Sequence, residues 1–355
     1  MADNAAASEQ LDDIEALRTA RNRHPADNNI KFELACAIRR NRRAPMPKVT
    51  IVDAPFSVTN VELTNHCPMR CGMCPRTHDM TRELGFMSDE VFERVVRELA
   101  HTNPENAPAG ILYLHHFGES LLHRRLDAFG ALANELGLFT SISVNPVLLR
   151  GPMIERLLGA QIGLIQFALD GYDAATFAAA RGMEKAFDDS VSRLRDYLGR
   201  HRAAGSRSRI VVNIIDVPGF DRQRLDAQEE RWRREPGVDA VYRKPFVNWN
   251  GSSAGVNRLA ARRHADATRE GPVVCTEPFE SLSVAWDGSV LACCFDYEGF
   301  IVLGNIMEQS LSSLWNGPRM RELRAEFLAN QVTNRLCRSC SYLRSPIGDS
   351  SVLSR

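Results

Sequence analysis

Short apolar runs alternate with amphipathic helical stretches from about residue 56 to residue 247. The runs SVTNVEL, ILYLHHF, FTSISVN, IGLIQFAL, RIVVNIID and VDAVYRKPFV have the length and β-branched content of buried strands. The stretches between them, such as SDEVFERVVRELA behind Ser88 as N-cap, repeat apolar residues at helical spacing. This alternation predicts βαβ units around a parallel sheet, either open and doubly wound or closed as a barrel. In both folds the chemistry lies at the carboxyl ends of the strands.

Two further regions flank this central α/β part. The first fifty residues predict two short helices, and Cys36 in the second is expected to be core. Residues 249–273 predict a linker rich in glycine, serine and charge, and the run ESLSVAWDGSVLACC beyond it predicts a hairpin turned at Asp287 and Gly288. We therefore expect a helical N-terminal extension at 1–52, the α/β domain at 53–248 and a C-terminal domain at 249–355.

The charge balance argues against two classes of binding partner. Lysine plus arginine and aspartate plus glutamate number 44 each, so the chain as a whole offers no cationic field for nucleic acid or an anionic membrane. The acidic first residues lack an apolar core, and no stretch reaches the ~20 apolar residues of a membrane span. We expect a soluble, cytoplasmic protein that binds neither nucleic acid nor membrane.

Eight of the nine cysteines fall in two groups, which is typical of metal ligation in a reducing compartment rather than of disulfides. The first group, in NHCPMRCGMC just after the first strand, has Cys67, Cys71 and Cys74 at a C-x3-C-x2-C spacing. Three thiolates can hold three corners of a 4Fe–4S cluster and leave the fourth iron open. A structural zinc site completed by His66 or His78 is the alternative.

This loop resembles the hallmark of the radical SAM enzymes. The resemblance implies a partial (β/α)6 TIM-like barrel in which S-adenosylmethionine chelates the open iron and is reductively cleaved to a 5'-deoxyadenosyl radical that abstracts hydrogen from substrate. A reductant such as flavodoxin or ferredoxin is then the expected partner. Met73 stands where relatives often carry an aromatic residue against adenine, and a flexible thioether can fill that space.

The resemblance continues at the ends of later strands. The segment FGES matches the family's Gly-Gly-Glu-Pro at Gly118 and Glu119, and in relatives this segment binds the methionyl amino group. The segment SVN ends at Asn145, which corresponds to a position near the ribose. The stretch ALDGYDAATFAAARG resembles the family's Ser-Leu-Asp-Gly segment ending in Arg-Gly and implies cofactor-binding roles for Asp170 and Arg181, the latter able to face a carboxylate.

The second cysteine group occupies the last eighty residues and resembles the SPASM and twitch extensions of radical SAM enzymes. Its five cysteines are fewer than the seven of a full SPASM set, so the resemblance implies one auxiliary 4Fe–4S cluster. We expect its ligands to be Cys275, Cys293, Cys337 and Cys340, with Cys294 left over.

Cys294 has two interpretations. Adjacent cysteines on a strand point to opposite sides, so Cys293 and Cys294 are not expected to bind the same cluster. Cys294 could donate a hydrogen atom to a product radical, as a cysteine does in radical SAM epimerases, or it could be a small buried apolar residue.

The cysteine layout resembles that of the butirosin-pathway dehydrogenase and the neomycin-type epimerase. It implies hydrogen abstraction from a carbinol carbon of a polar small molecule of the aminoglycoside or cyclitol type, followed by epimerisation or dehydrogenation. A base would help dehydrogenation, and only one of His115 and His116 can point into a barrel. Modification of a ribosomal peptide and a non-enzymatic metal-binding or electron-transfer protein remain alternatives. The sequence does not indicate the oligomeric state.

Overall fold

The structure is a computed structural model that describes residues 2–24, 27–41, 48–54, 56–102, 111–260, 275–340 and 343. Its strands form a nine-stranded sheet in the order β6-β5-β4-β3-β2-β1-β7-β8-β9. The strands are β1 Ser57–Val61, β2 Leu112–Tyr113, β3 Thr140–Val144, β4 Leu164–Ala168, β5 Arg209–Asp216, β6 Ala240–Pro245, β7 Ser281–Val284, β8 Ser289–Leu291 and β9 Val302–Asn305.

Six strands, β1 to β6, are parallel and follow one another in chain order. A doubly wound sheet reverses its strand order at a switch point, and this sheet does not. The arrangement is that of a partial barrel, so the predicted fold class is confirmed. Strand β7 pairs parallel with β1 on its other side, and β8 and β9 continue antiparallel.

Helices precede, connect and follow the strands. They are α1 Ala2–Arg23, α2 Asn28–Asn41, α3 Pro75–His78, α4 Asp89–Thr102, α5 Leu126–Glu135, α6 Gly151–Gly159, α7 Ala174–Arg181, α8 Phe187–Ala203, α9 Arg222–Arg233, α10 Ala254–Ala260, α11 Glu277–Glu280, α12 Leu311–Trp315 and α13 Pro318–Leu328, with 3-10 turns at Ser120–Leu122 and Pro146–Leu148. No helix in the described ranges is long and apolar enough to cross a membrane.

The two faces of the sheet have different apolar cores. The outward side chains of the parallel strands pack under the helices in one large core. The inward side chains near the amino ends of the strands instead pack against α2, which inserts Phe32 and Cys36 into the barrel. The ring centroids of Phe32 and Phe139 lie 6.5 Å apart, and the Arg209 guanidinium carbon lies 4.2 Å from the centroid of the Phe32 ring. The expectation that Cys36 is core is confirmed, and α2 closes this end of the barrel.

Three local predictions need comment. The apolar run from Ile111 to Phe117 pairs as a strand only over Leu112–Tyr113. The predicted linker at 249–273 contains helix α10, while residues 261–273 lie outside the described residues. The hairpin between β7 and β8 turns as predicted, with Gly288 at a φ of 83°. Domain boundaries at 52 and 248 remain predictions.

Candidate active site

The first group of thiols lies on the loop that leaves β1 at its carboxyl end. Cys71 is buried, and Cys67 and Cys74 are partly buried. The amide N–H of Cys74 donates to the carbonyl of Cys71 at 3.1 Å, so the chain turns tightly between them. Cys74 stands directly before α3, where Pro75 is tolerated because the first helical N–H needs no partner.

The loop is held in place by polar residues just before it. The hydroxyl of Thr64 donates to the carbonyl of Gly85 at 2.6 Å. The side chain of Asn65 donates to the carbonyl of Glu83 at 2.7 Å and accepts from the amide N–H of Gly85 at 2.9 Å. Gly118 packs against the same segment so closely that a Cβ there would lie 1.9 Å from the carbonyl oxygen of Thr64. Only glycine allows this approach.

Burial sets the ionisation of these thiols. Loss of water raises the pKa of Cys67 to about 11 and that of Cys74 to about 12, and the neighbouring Cys71 adds to both shifts. Such thiols become ligands when the positive charge of a metal compensates for the lost water. Within the described ranges, no three His, Cys, Asp or Glu side chains are close enough to hold one metal ion. Three thiols on one loop match the number of corners that a protein supplies to a 4Fe–4S cluster with one open iron.

The two histidines considered for a zinc site are engaged elsewhere. The ring of His66 stacks on Phe86 with centroids 4.7 Å apart. The ring nitrogen Nε2 of His78 hydrogen-bonds the carbonyl of Gly72 at 2.9 Å. Neither contact brings a histidine nitrogen to the thiols.

Glu119 lies beside the first thiol loop and is buried. Its two carboxylate oxygens accept the amide N–H groups of Leu121 at 3.1 Å and Asn145 at 3.2 Å. Burial raises the pKa of Glu119 to about 7, although these two bonds and Arg181 oppose the shift. The carboxylate in turn raises the pKa of Cys67, so the two side chains are close in space. The structure thus brings this predicted residue to the cysteine loop.

Two more predicted residues carry nitrogen atoms without a partner in the described part of the chain. The buried Asn145 accepts from the amide N–H of Val147 through Oδ1, while its Nδ2 has no partner. Arg181 pairs with the buried Asp170 and donates to the sulfur of Cys71 at 3.7 Å, while its Nε has none. Burial lowers the pKa of Arg181, but Asp170 and Cys71 outweigh it and the net change is upward. Buried donors without acceptors are costly, so a bound ligand would stabilise them.

Met73 is buried in the loop and is contacted by a residue that sequence reasoning missed. The indole N–H of Trp249 donates to the carbonyl of Met73 at 2.9 Å, and its ring packs against Phe117 and Phe295 at 4.9 and 5.5 Å. The thiol of Cys340 donates to the carbonyl of Trp249 at 3.8 Å. Trp249 therefore lies between the two cysteine groups. Trp249 was not identified from the sequence because it lies in the predicted linker.

Four of the C-terminal cysteines meet in space although they come from three segments of the chain. Burial raises the pKa of Cys275 and of Cys337, and the nearby thiols of Cys293 and Cys340 raise both values further. The amide N–H of Cys340 donates to the carbonyl of Cys337 at 2.9 Å, which folds the C-x2-C pair into a turn. The four thiols expected to hold an auxiliary cluster are thus brought together.

The expectation that Cys293 and Cys294 point to opposite sides is wrong. Both residues lie beyond the end of β8, in a turn, where the alternation of a strand does not apply. The Cys294 thiol hydrogen-bonds the Cys293 thiol, and this bond together with burial raises the pKa of Cys293. Cys294 is partly buried, and its sulfur lies beside that of Cys293.

A buried carboxylate that sequence reasoning missed links the barrel to the C-terminal cysteines. The carboxylate of Glu62, just after β1, accepts hydrogen bonds from both terminal nitrogens of Arg82, at 2.9 and 2.8 Å. Arg82 also donates to the carbonyl of Tyr297 at 2.8 Å, and the Nε2 of His116 donates to the carbonyl of Cys294 at 2.6 Å. The Nδ1 of His116 lies 3.6 Å from Glu62. We call Glu62, Arg82 and His116 the carboxylate clasp.

The partners of Glu62 in the carboxylate clasp keep its carboxylate ionised. Burial alone would raise the pKa of Glu62, but hydrogen bonds from His116 and Arg82 lower it to about 2. The only sequence signal was a charged residue at the end of an apolar strand, which is more often solvated. The partners lie in loops far apart in the chain, so local pattern could not identify them.

His115 and His116 face opposite ways, as predicted for neighbours. His116 joins the carboxylate clasp, whereas the ring of His115 lies edge-on to the inward-facing Tyr113 at 5.5 Å. The Nδ1 of His115 accepts the amide N–H of Ser143 at 3.1 Å. Burial, followed by the charge of Lys244, lowers the pKa of His115 to about 3. His115 is therefore neutral at neutral pH and a poor base.

A cavity of about 750 Å³ lies at the opposite end of the barrel from the cysteines. Its lining includes His24 and Asn28 near the N-terminal helices, and His201, Arg209 and Asp239 near the amino ends of β5 and β6. Catalytic sites of such folds lie at the carboxyl ends of the strands. Size alone therefore does not mark this cavity as the active site.

Comparisons with known proteins agree with this geometry. Residues 61–227 match the family profile described as the radical SAM superfamily, and residues 275–341 match the SPASM profile, described as an iron-sulfur cluster-binding domain. Both domains expected from the cysteine spacing are therefore present.

Individual relatives are more distant. The PqqA peptide cyclase of Xanthomonas euvesicatoria pv. vesicatoria (strain 85-10) is 28% identical over 189 residues, which span 52% of this chain but only 48% of the cyclase. The S-adenosyl-L-methionine-dependent 2-deoxy-scyllo-inosamine dehydrogenase of Niallia circulans is 20% identical over 291 residues, which span 82% of this chain and 94% of that enzyme. A crystal structure of BtrN in complex with AdoMet and 2-DOIA has a TM-score of 0.52 at 19% identity and covers 81% of this chain and 94% of that one.

Proposed function

We propose that this chain is a radical SAM enzyme with a SPASM domain, and that it abstracts hydrogen from a carbinol carbon of a polar small molecule of the aminoglycoside or cyclitol type. The product then forms by epimerisation or dehydrogenation. The observation that carries the proposal is the pair of thiol groups, three on one loop and four from the C-terminal part, with the unpartnered Nε of the buried Arg181 beside the first group. Similarity to the inosamine dehydrogenase over 82% of the chain supports the substrate class.

In this proposal Cys67, Cys71 and Cys74 hold a 4Fe–4S cluster, whose remaining iron binds S-adenosylmethionine. When bound, these groups supply the hydrogen-abstracting 5'-deoxyadenosyl radical. The backbone at Gly118 and the carboxylate of Glu119 receive the methionyl amino group.

The remaining predicted contacts follow the same cofactor. The Nδ2 of Asn145 and the Nε of Arg181 have no partner in the described part of the chain, and they would donate to the ribose and to the carboxylate of the cofactor. Asp170 orients Arg181 rather than binding the cofactor itself, because the two are already paired. Met73 packs against adenine while Trp249 fixes its backbone.

The second 4Fe–4S cluster is held by Cys275, Cys293, Cys337 and Cys340 in this proposal. Cys294 is the candidate hydrogen donor in an epimerisation, and His116 positions it by holding its carbonyl. His115 is not proposed as the base of a dehydrogenation, since its ring is neutral and its Nδ1 is occupied. A low-potential protein such as flavodoxin or ferredoxin is the proposed reductant.

Modification of a ribosomal peptide is the second candidate. Similarity to a PqqA peptide cyclase favours it, although that alignment spans about half of the cyclase. Helix α2 argues against peptide modification, because the N-terminal extension inserts Phe32 and Cys36 into the barrel. Used as a barrel plug, this extension is not free to serve as a separate peptide-recognition module.

One experiment tests the enzyme class and a second tests the outcome. Anaerobically reconstituted protein, reduced with dithionite, should release 5'-deoxyadenosine from S-adenosylmethionine, and Cys71→Ala protein should not. Wild-type protein with both clusters intact and no such product would refute the proposal.

To determine which product forms, the reaction is run in heavy water with 2-deoxy-scyllo-inosamine as the probe substrate. Solvent deuterium on carbon that disappears in Cys294→Ala protein indicates epimerisation, whereas a ketone without label indicates dehydrogenation. If neither product forms although 5'-deoxyadenosine release is normal, the result contradicts the proposed substrate class.

A further inference from the structure

A polar layer crosses the interior of the barrel above the apolar plug formed by α2. Gln166 on β4 and Asn213 on β5 point inward, as do Leu164 and Val211 two positions earlier on the same strands. Lys244 on β6 reaches the same layer and donates through Nζ to Oε1 of Gln166 at 3.1 Å. Gln166 and Asn213 are 2% and 4% exposed, so their polar atoms need partners inside the protein.

The ammonium of Lys244 fixes the orientation of the whole layer. Because an ammonium only donates, the Gln166 atom that it contacts must be the oxygen. The Nε2 of Gln166 then donates to the hydroxyl of Ser141 at 2.9 Å. Asn213 must donate to the same Gln166 oxygen through Nδ2, at 2.8 Å. Its Oδ1 is therefore an acceptor, and within the described residues this buried oxygen has no donor.

This arrangement selects among ligand groups by charge and hydrogen-bond type. Asn213 Oδ1 requires an O–H or N–H donor, while Lys244 repels positive charge and favours an acceptor. A carboxylate has no hydrogen to donate to Asn213, and an ammonium can donate to Asn213 but is repelled by Lys244. A neutral hydroxyl can donate to Asn213 and carries no charge for Lys244 to repel. His115 adds no charge to the layer, since its ring is neutral.

We propose that Lys244, Gln166 and Asn213 form a hydroxyl-binding subsite at the floor of the substrate chamber. The inference deepens the proposed function and rests on it, because a substrate reaches this floor only from the cofactor end. Phe32 and Phe139 block the other end of the barrel. The substrate places a hydroxyl on the floor, and any amino group that it carries points away from Lys244.

Three ring probes that differ in one group test the subsite. They are cyclohexanol, cyclohexylamine and cyclohexanecarboxylate, and binding to the reconstituted holoenzyme with S-adenosylmethionine is measured by saturation-transfer NMR. Wild-type protein should bind cyclohexanol at least about tenfold more tightly than either charged probe, the factor expected of one hydrogen bond to a charged group.

Variants place the selectivity at the subsite. Lys244→Met and Asn213→Val should each weaken cyclohexanol binding about tenfold, and Lys244→Met should also remove the discrimination against cyclohexylamine. Arg243→Met is the matched control, because Arg243 is the neighbouring residue on β6 and faces outward to Asp226 and Glu229. It should bind all three probes as the wild type does.

The subsite is refuted if wild-type protein does not prefer cyclohexanol, or if both inward variants bind it as the wild type does. The comparison of probes on wild-type protein holds even if a variant fails to fold. The same preparations are assayed for 5'-deoxyadenosine after reduction with dithionite. Normal release without hydroxyl preference rejects the subsite alone, whereas hydroxyl preference without release rejects the proposed function.

Discussion

The two cysteine groups are built in opposite ways. Cys67, Cys71 and Cys74 come from one short loop, which is held by hydrogen bonds to residues 83–85 close by in the chain. The C-terminal thiols come from three separate segments and meet only when that whole region is folded. Arg181, whose Nε has no partner in the described part of the chain, donates to a thiol of the first group, whereas the thiols of the second group lie against one another. A local loop suits a site that must stay open to a ligand, and a closed set of four suits a fixed cluster.

The carboxylate clasp joins these two constructions. Glu62 precedes the first loop, and His116 and Arg82 reach from the barrel to the backbone at Cys294 and Tyr297. The position of each group therefore depends on the other.

The largest expected effect separates the two groups by their roles. Cys71→Ala should lower the iron content from about eight to about four atoms per chain and abolish 5'-deoxyadenosine formation, because each cluster holds four irons. Cys337→Ala should lower the iron content similarly but retain 5'-deoxyadenosine formation. Cys36→Ala is the control, since this buried thiol lies in the barrel plug, and its iron content should equal that of wild type. Equal loss of activity in the first two variants would contradict the distinction.

Breaking the carboxylate clasp should destabilise the regions around both groups. Arg82→Met leaves Glu62 buried without its main cation, and such a change costs about 3–5 kcal/mol of unfolding free energy. The exposed pair of Arg97 and Glu93 provides the control, and Arg97→Met should cost below about 0.5 kcal/mol. Denaturant unfolding measures both. A loss in Arg82→Met no larger than in the control would show that the clasp does not stabilise the fold.

The pH dependence of stability should report the same carboxylate. The folded-state pKa of Glu62 is about 2, below the ordinary value of 4.5, so its stabilising contribution is present above pH 4.5 and is lost as the pH falls towards 2. The full loss amounts to about 3 kcal/mol, of which about 2 kcal/mol occurs by pH 3. Glu62→Gln protein cannot show this loss, because an amide does not titrate in this range. The difference in their unfolding free energies between pH 6 and pH 3 isolates Glu62, and an unchanged difference would contradict the assignment.

Close packing of the first loop is tested by a single methyl group. Gly118→Ala brings a Cβ against the carbonyl of Thr64, and overpacking of this kind should cost about 2 kcal/mol and shift the cysteine loop. Gly159→Ala, at the end of α6, meets nothing within 4 Å and should be neutral or slightly stabilising. Thermal unfolding and S-adenosylmethionine affinity measure the pair. Similar behaviour of the two variants would rule out the steric argument.

The smallest effect concerns the residue between the groups. Trp249→Phe keeps an aromatic ring against Phe117 but removes the N–H that donates to Met73, which should cost about 1 kcal/mol. Trp249→Leu also removes the ring contacts and should cost more. Chemical denaturation of both proteins measures the difference, and no loss in Trp249→Phe would mean that water replaces the bond.

Much of this architecture could be predicted from sequence because its signals are local. Strand and helix alternation gave the parallel sheet, and the spacing of Cys67, Cys71 and Cys74 indicated the open cluster. Glu62 and Lys244 were not identified, because a charged residue at the end of a strand is usually solvated and its partner lies far away in the chain. The orientation of Cys294 was predicted wrongly, because strand β8 ends at Leu291, before the two cysteines.

Strand β7 beside β1 has a consequence for how the chain is made. Ser57 pairs with Ser281, so one edge of β1 stays uncovered until the ribosome has synthesised all six barrel strands and the start of the C-terminal region. The amide N–H of Glu62 likewise waits for the carbonyl of Val284. A nascent chain halted before Ser281 therefore carries the first cysteine loop on an unfinished sheet, and resistance of that loop to proteolysis should begin only after translation has passed Val284.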